Sequence, residues 1–321
     1  IGGAGTIPLT SAGTVGANTA ELNTVVSNLG ASTTTGSVFI DNTGALDISG
    51  AFDVAGNNLT LENTAAVTQT GAITAGGLEL LGTGSYILNN AANAVAELAA
   101  NITEELQFTN NANLNVTTVT GDATEGINTT DDNVTIAIGT NELTVSQAIA
   151  AGDGAVSLTS NEIVITAAVT GNAGGITLIP DADATTVALN DANGTFSLTV
   201  EELQNLASTG TVTIGVAGAG TGEFNIGGTG GNINLSTEAF SLSLVGASSD
   251  VVFNLAVSDT LTLPANETFN FDIGTGEITS PGNTTADITI GGDGTITFTS
   301  SGAVGDSGVE LNTVVSNLGA S

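Results

Sequence analysis

The chain contains no lysine, arginine, histidine, cysteine, methionine or tryptophan, and among its 321 residues there are only four prolines and one tyrosine. With no basic side chain, its 32 acidic groups have no internal counter-charge and the formal charge is −32. Side-chain ion pairs are therefore excluded as a source of stability. Nucleic-acid binding is excluded as well, because Lys or Arg must displace the phosphate counterions, and an anionic membrane surface repels such a polyanion. The missing cysteine rules out a disulfide framework without separating cytosol from exterior in a chain this long. No apolar run approaches the ~18 residues of a membrane span. Neither an initiator Met nor a basic signal region stands at Ile1, so the segment is expected to begin inside a longer or processed polypeptide. Without His or Lys there is no base for a nucleophilic triad, nor the basic proton acceptor that lyase action on acidic sugars calls for.

What is present is a chain able to bury a core. Hydrophobic residues make up 40% and charged residues 10%, with 44 glycines; a disordered acidic tail would be poorer in β-branched residues. From Phe196 onward every second side chain is apolar over short stretches: Phe196, Leu198, Val200; Val212, Ile214; Phe240, Leu242, Leu244; Phe253, Leu255, Val257; Phe269, Phe271, Ile273; Ile288, Ile290. Val38 and Ile40, Leu59 and Leu61, Leu78 and Leu80, Val134 to Ile138, and Ile163 to Ile165 repeat this in the first half. Period two is that of a strand with one buried face. Gly76-Gly77, Asn110-Asn111, Asp153-Gly154, Asn193-Gly194 and Asp293-Gly294 punctuate the strands where positive φ is tolerated. Asn-Gly and Asp-Gly steps also close antiparallel hairpins, so a sandwich competes with a stacked coil. Ala91 to Ile102, Val200 to Ser208 and Glu21 to Leu29 carry apolar residues near helical spacing. Each reads equally as one helical turn at a corner or as an extended segment.

The chain also restarts. Ile1 to Ser32 aligns without a gap to Ile290 to Ser321, and Glu21 to Ser32 is identical to Glu310 to Ser321. Differences earlier in the copies, such as Ala4 against Asp293 and Pro8 against Thr297, mark them as two genuine copies. Residues 1–289 are thus one tandem period and 290–321 the start of the next, within what reads as a single continuous solenoid over 1–321. In-register tandem repetition builds long objects from nearest-neighbour contacts. The uninterrupted run of strands, with no Pro-rich or charged hinge, favours the stacked coil over the sandwich. A coil of roughly twenty-odd residues adds about 4.8 Å of axis, so one period rises on the order of 60–70 Å.

The stretch from Gly71 to Gly121, and Ser197 to Gly215 (SLTVEELQNLASTGTVTIG), resemble the repeat region of filamentous-haemagglutinin-type exoproteins, the large bacterial surface adhesins exported by two-partner secretion. The likeness is one of repeat style over most of the chain. It implies an all-β fold, a right-handed parallel β-helix (β-solenoid), with secretion through an outer-membrane partner and a role in attachment or surface structure.

Candidate sites are few. Glu104-Glu105, Asp131-Asp132 and Glu201-Glu202 are the pairs a two-carboxylate glycosidase would draw on, but neighbours on a strand point to opposite faces. Asp122, Glu125, Asp131 and Asp132 lie close in a loop-like stretch, as do Asp181, Asp183 and Asp191, and offer oxygen ligands to Ca²⁺. No EF-hand is present, and the steps near Asp153 and Asp293 hold only a fragment of the nonapeptide Ca²⁺ pattern. Asn58, Asn101, Asn115, Asn193 and Asn266 open Asn-x-Ser/Thr triplets that matter only in a glycosylating host. Tyr86 is expected to pack or close a coil.

The sequence thus points to a non-enzymatic extracellular structural protein, a repeat fibre forming a surface filament, sheath or adhesin stalk. Its expected partners are adjacent repeats, lateral copies of itself, and glycans of a host or neighbouring cell surface. A carbohydrate-active β-helix with paired carboxylates, or a Ca²⁺-dependent surface-layer module, is the alternative.

Overall fold

The computed structural model describes residues 2–282, 285–305 and 309–320. Short strands dominate, and the one helix among the described residues is Val200–Gln204. The chain divides into two compact units, Ile1–Leu158 with Ile165–Thr170, and Thr159–Val164 with Gly171–Ser321. Each is a coil of parallel strands.

In the first unit Val38 pairs with Leu59, Leu59 with Leu78, Leu78 with Leu98, and Leu98 with Val116, always in parallel. A second column runs Leu22, Ile40, Leu61, Leu80, Ala100, Ile127, Ile149, Val169. From Val38 and Ile40 onward every one of these side chains is buried. Like packs on like because each turn repeats the apolar alternation of the one before, and burial of each Leu, Ile or Val stabilises by about 1.5–3 kcal/mol. The lone Tyr86 sits in a third column between Val67 and Leu106. Its hydroxyl lies 2.8 Å from the Leu61 carbonyl and 2.7 Å from that of Leu81, so it closes the turn it packs in. Burial holds this phenol well above its ordinary pKa.

The second unit repeats the scheme with larger side chains. Val212, Leu242, Phe269 and Ile296 form one column, and Ile214, Leu244, Phe271 and Phe298 another. Phe271 stacks on Phe298 with ring centroids 5.3 Å apart and planes 14° from parallel. Phe224, Val251 and Ile278 continue a column on a further face.

Among the described residues the paired strands run parallel and do not fold back as hairpins. Asn193-Gly194 stands between Val187–Leu189 and Phe196–Leu198, yet these two strands pair in parallel. Asp153-Gly154 turns a corner, with Gly154 N–H donating to Ala151 O at 2.9 Å. Corners stack backbone on backbone: a Cβ on Gly71 would lie 2.1 Å from the Gly50 carbonyl carbon, and one on Gly50 2.2 Å from the Ala31 nitrogen. Only glycine fits there.

The three ambiguous segments resolve differently. Val200–Gln204 is a helical turn, because Thr199 and Glu202 form a capping box: the Glu202 amide donates to Thr199 Oγ1 at 3.2 Å and the Thr199 amide to Glu202 Oε2 at 2.8 Å. Ala94–Ile102 and Leu22–Leu29 are strands. The first is held on one side by Ile73–Gly82 and on the other by Leu114–Val116 and Ile127–Asn128, and this ladder overrides the helical preference of its alanines.

Candidate functional site

Buried polar side chains sit where the coil needs them. Asn42 and Asn63, neighbours in register and both fully buried, form a ladder through Asn42 Nδ2 donating to Asn63 Oδ1 at 2.9 Å. Asn42 Oδ1 accepts from Thr24 Oγ1 at 2.8 Å and from the Val26 amide at 3.0 Å. The ladder stops at Gly82, in register with Asn63 at φ +100°, where a Cβ would meet the Asn63 carbonyl oxygen at 2.3 Å. Amide side chains satisfy backbone groups at a bend with no charge, which suits a chain that has no cations to offer.

The predicted acidic sites are dispersed. Asp122 lies in a loop, residues 117–126, that returns over the strands Asn58–Asn63, Ile73–Gly82 and Ala94–Ile102. Its carboxylate accepts from Asn18 Nδ2 at 3.1 Å and Asn58 Nδ2 at 3.3 Å. Next to it Glu97 takes both the amide (2.8 Å) and the hydroxyl (3.1 Å) of Thr120, and Thr120 O accepts from Asn58 Nδ2 at 2.7 Å. Val119 is buried against Gly77, where a Cβ would come within 2.4 Å of its Cγ1. Beneath the loop, Glu79 is 2% exposed and accepts from Thr60 Oγ1 at 3.3 Å and the Thr124 amide at 3.4 Å. Burial and the charge of Glu79 raise Asp122 to about 6, against the pull of its Asn58 hydrogen bond.

Glu125 is exposed in the same loop. Asp131 stands at a separate corner, φ 58°, where its Oδ1 accepts the Asp153 amide at 3.1 Å, and the Asp132 carbonyl accepts from Thr129 Oγ1 at 2.5 Å. Asp181 and Asp183 are exposed, whereas Asp191 is 7% exposed. Burial raises the Asp191 pKa, but hydrogen bonds from Asn254 Nδ2, the Asn193 amide and side chain, and the Gly228 amide outweigh it and hold the group below its usual value. Among the described residues no three acidic side chains converge as metal ligands. Of the paired carboxylates, Glu104, Asp131 and Glu201 are exposed while Glu105, Asp132 and Glu202 are half-buried. Asn101, Asn193 and Asn266 are exposed, while Asn58 and Asn115 are half-buried and engaged, Asn115 Oδ1 accepting from Ser146 Oγ at 2.7 Å.

The repeated passage keeps its register over one stretch and shifts it over another, since Val25 pairs with Gly2 while its counterpart Val314 pairs with Thr289. In the first copy Thr6 pairs with Asn28 and Ile7 with Leu29. In the second, Thr295 pairs with Asn317 and Ile296 with Leu318, the same positions shifted by one period. Sequence reasoning found the repetition, but the shared strand register is visible only in the fold.

The chain matches no known protein-family model, no curated protein and no solved structure. No helix among the described residues is long and apolar enough to cross a membrane.

Proposed function

We propose that this chain is a structural segment of an extracellular tandem-repeat fibre, built by winding successive 289-residue periods into a solenoid that serves as a surface filament, sheath or adhesin stalk. The observation that carries the reading is the register the two copies share over one stretch, Thr6 on Asn28 with Ile7 on Leu29, and Thr295 on Asn317 with Ile296 on Leu318. A repeat that restarts in sequence and also in strand pairing is one that propagates. Columns of identical chemistry, corners closed by glycine and amide ladders satisfied without ions supply durability and no reacting group. The filamentous-haemagglutinin-type resemblance and the cell-surface location belong to this same reading, with glycans as the partners of an adhesin.

Electron microscopy of a polypeptide carrying several periods tests it. Unbranched rods with an axial repeat on the order of 60–70 Å per period are expected. Compact, separate particles of one period each would refute it.

A further inference from the structure

The two copies of the passage differ in what lies over them. Leu29 is 1% exposed, and its counterpart Leu318 is 68% exposed. Thr24, Val26 and Gly30 are buried, while Thr313, Val315 and Gly319 are only half-buried. Val25 and Val314 point outward and are open in both copies, 53% and 58%. The preceding turn is present beneath each, in the same register at Thr6 on Asn28 and Thr295 on Asn317, although Val25 pairs with Gly2 and its counterpart Val314 with Thr289. What buries the first copy is the turn that follows it: Leu22 to Thr24 pair with Ile40 to Asn42, and Asn28 and Leu29 with Asp47 and Ile48. At the second copy this place is an open cleft of about 420 Å³ lined by Phe298, Val304, Glu310, Leu311, Thr313 and Leu318.

We infer that this cleft is the docking face for the opening turn of another copy of the repeat, entering with its residues 33–48 in a single register. Leu311 takes the incoming Ile40, Thr313 the incoming Asn42, and Leu318 the incoming Ile48. The incoming Asn42 Oδ1 accepts from Thr313 Oγ1 and the Val315 amide, as Asn42 does from Thr24 and Val26 within the first copy. The occupant is fixed by identity: Glu310 to Ser321 is the same sequence that Ser32–Ile48 already covers at Glu21 to Ser32. The inference rests on the repeat-fibre reading and supplies its joint.

The test extends the full chain past Ser321 with the sequence of residues 33–69, and follows amide hydrogen exchange at 311–318. The expected result is a gain in protection of about tenfold or more at the Val315 amide, lost again when the appended Asn42 is changed to Ala. A shuffled extension of the same composition should give no gain. The inference is overturned if exchange at Val315 is unchanged, or if the shuffled extension protects equally. Failure of the fibre reading shows differently, as short particles without axial repeat from a multi-period chain whose Val315 amides are nevertheless protected.

Discussion

Replacing Asn42 by alanine removes the amide on which one bend of the coil depends. Four hydrogen bonds go: from Thr24 Oγ1, from the Val26 amide, to Asn63 Oδ1 and to the Gly44 carbonyl. Two of the abandoned groups, the Val26 N–H and Asn63 Oδ1, are buried among hydrophobic columns. Each orphaned group costs about 1–3 kcal/mol, so the loss is roughly 4 kcal/mol, with admission of water setting the lower end. At a urea slope of about 2 kcal/mol/M for a unit of this size, the midpoint falls by about 2 M. Tyr86, the only tyrosine in a chain without tryptophan and buried in the same unit, reports this transition through its fluorescence beside circular dichroism. Asn42→Asp sharpens the test. At pH 7 it buries an anion against the Asn63 carbonyl oxygen with no cation anywhere in the chain, so its folded pKa lies above its unfolded one. The penalty is present at neutral pH and relieved as pH falls through the folded value, where the protonated acid donates to Asn63 and still accepts from Thr24 and Val26. A midpoint shift below about 0.3 M for Asn42→Ala, or no acid rescue of Asn42→Asp, would refute the reasoning.

Asp122 and Glu62 both have raised pKa values, Glu62 through burial and then Asp41 and Glu21. Stability of the first unit should therefore rise on acidification, beginning near pH 6 for Asp122, and Asp122→Asn should flatten that rise in a pH series of urea midpoints. Asp191 runs the other way: its lowered pKa gives a contribution lost only as pH falls through its folded value, so acid below pH 4 should weaken the second unit, and Asp191→Asn should remove that dependence. Salt should raise the melting temperature by screening the −32 charge, with Mg²⁺ and Ca²⁺ acting alike in calorimetry; a saturable step unique to Ca²⁺ would instead mark a specific site. Gly71→Ala should cost more than about 2 kcal/mol or displace the neighbouring turn, read by hydrogen exchange across 46–73, because the new methyl meets the Gly50 backbone.

Much of the coil was legible in the residues. Alternation over Leu59 and Leu61, Leu78 and Leu80, Phe269 and Phe271 assigned both strand and inward face, since period two leaves no other way to bury them. Parallel pairing was less legible, because Asn193-Gly194 carries the same local chemistry whether the chain turns back or advances. Ala94–Ile102 shows the limit of propensity: its alanines favour a helix, and only ladders on both sides make it a strand. The capping box at Thr199 and Glu202 was present in the sequence as a Thr-x-x-Glu spacing, and it separates the one true helical turn from the two false ones. For the acidic residues, proximity along the chain misled. Asp122 and Asp131 lie nine positions apart yet serve different corners, while Asp122 meets Asn18 and Asn58 from far away, contacts that no local pattern announces.

The loop at 117–126 changes how the first unit answers a pull. A coil tugged from its end peels turn by turn, each rung yielding before the next bears load. Here Thr120 and Asp122 fasten to Asn18, Asn58 and Glu97, which belong to widely separated turns, so tension reaching any one of them is shared by the others. Sequential unzipping gives way locally to simultaneous rupture of the turns that the loop buckles together.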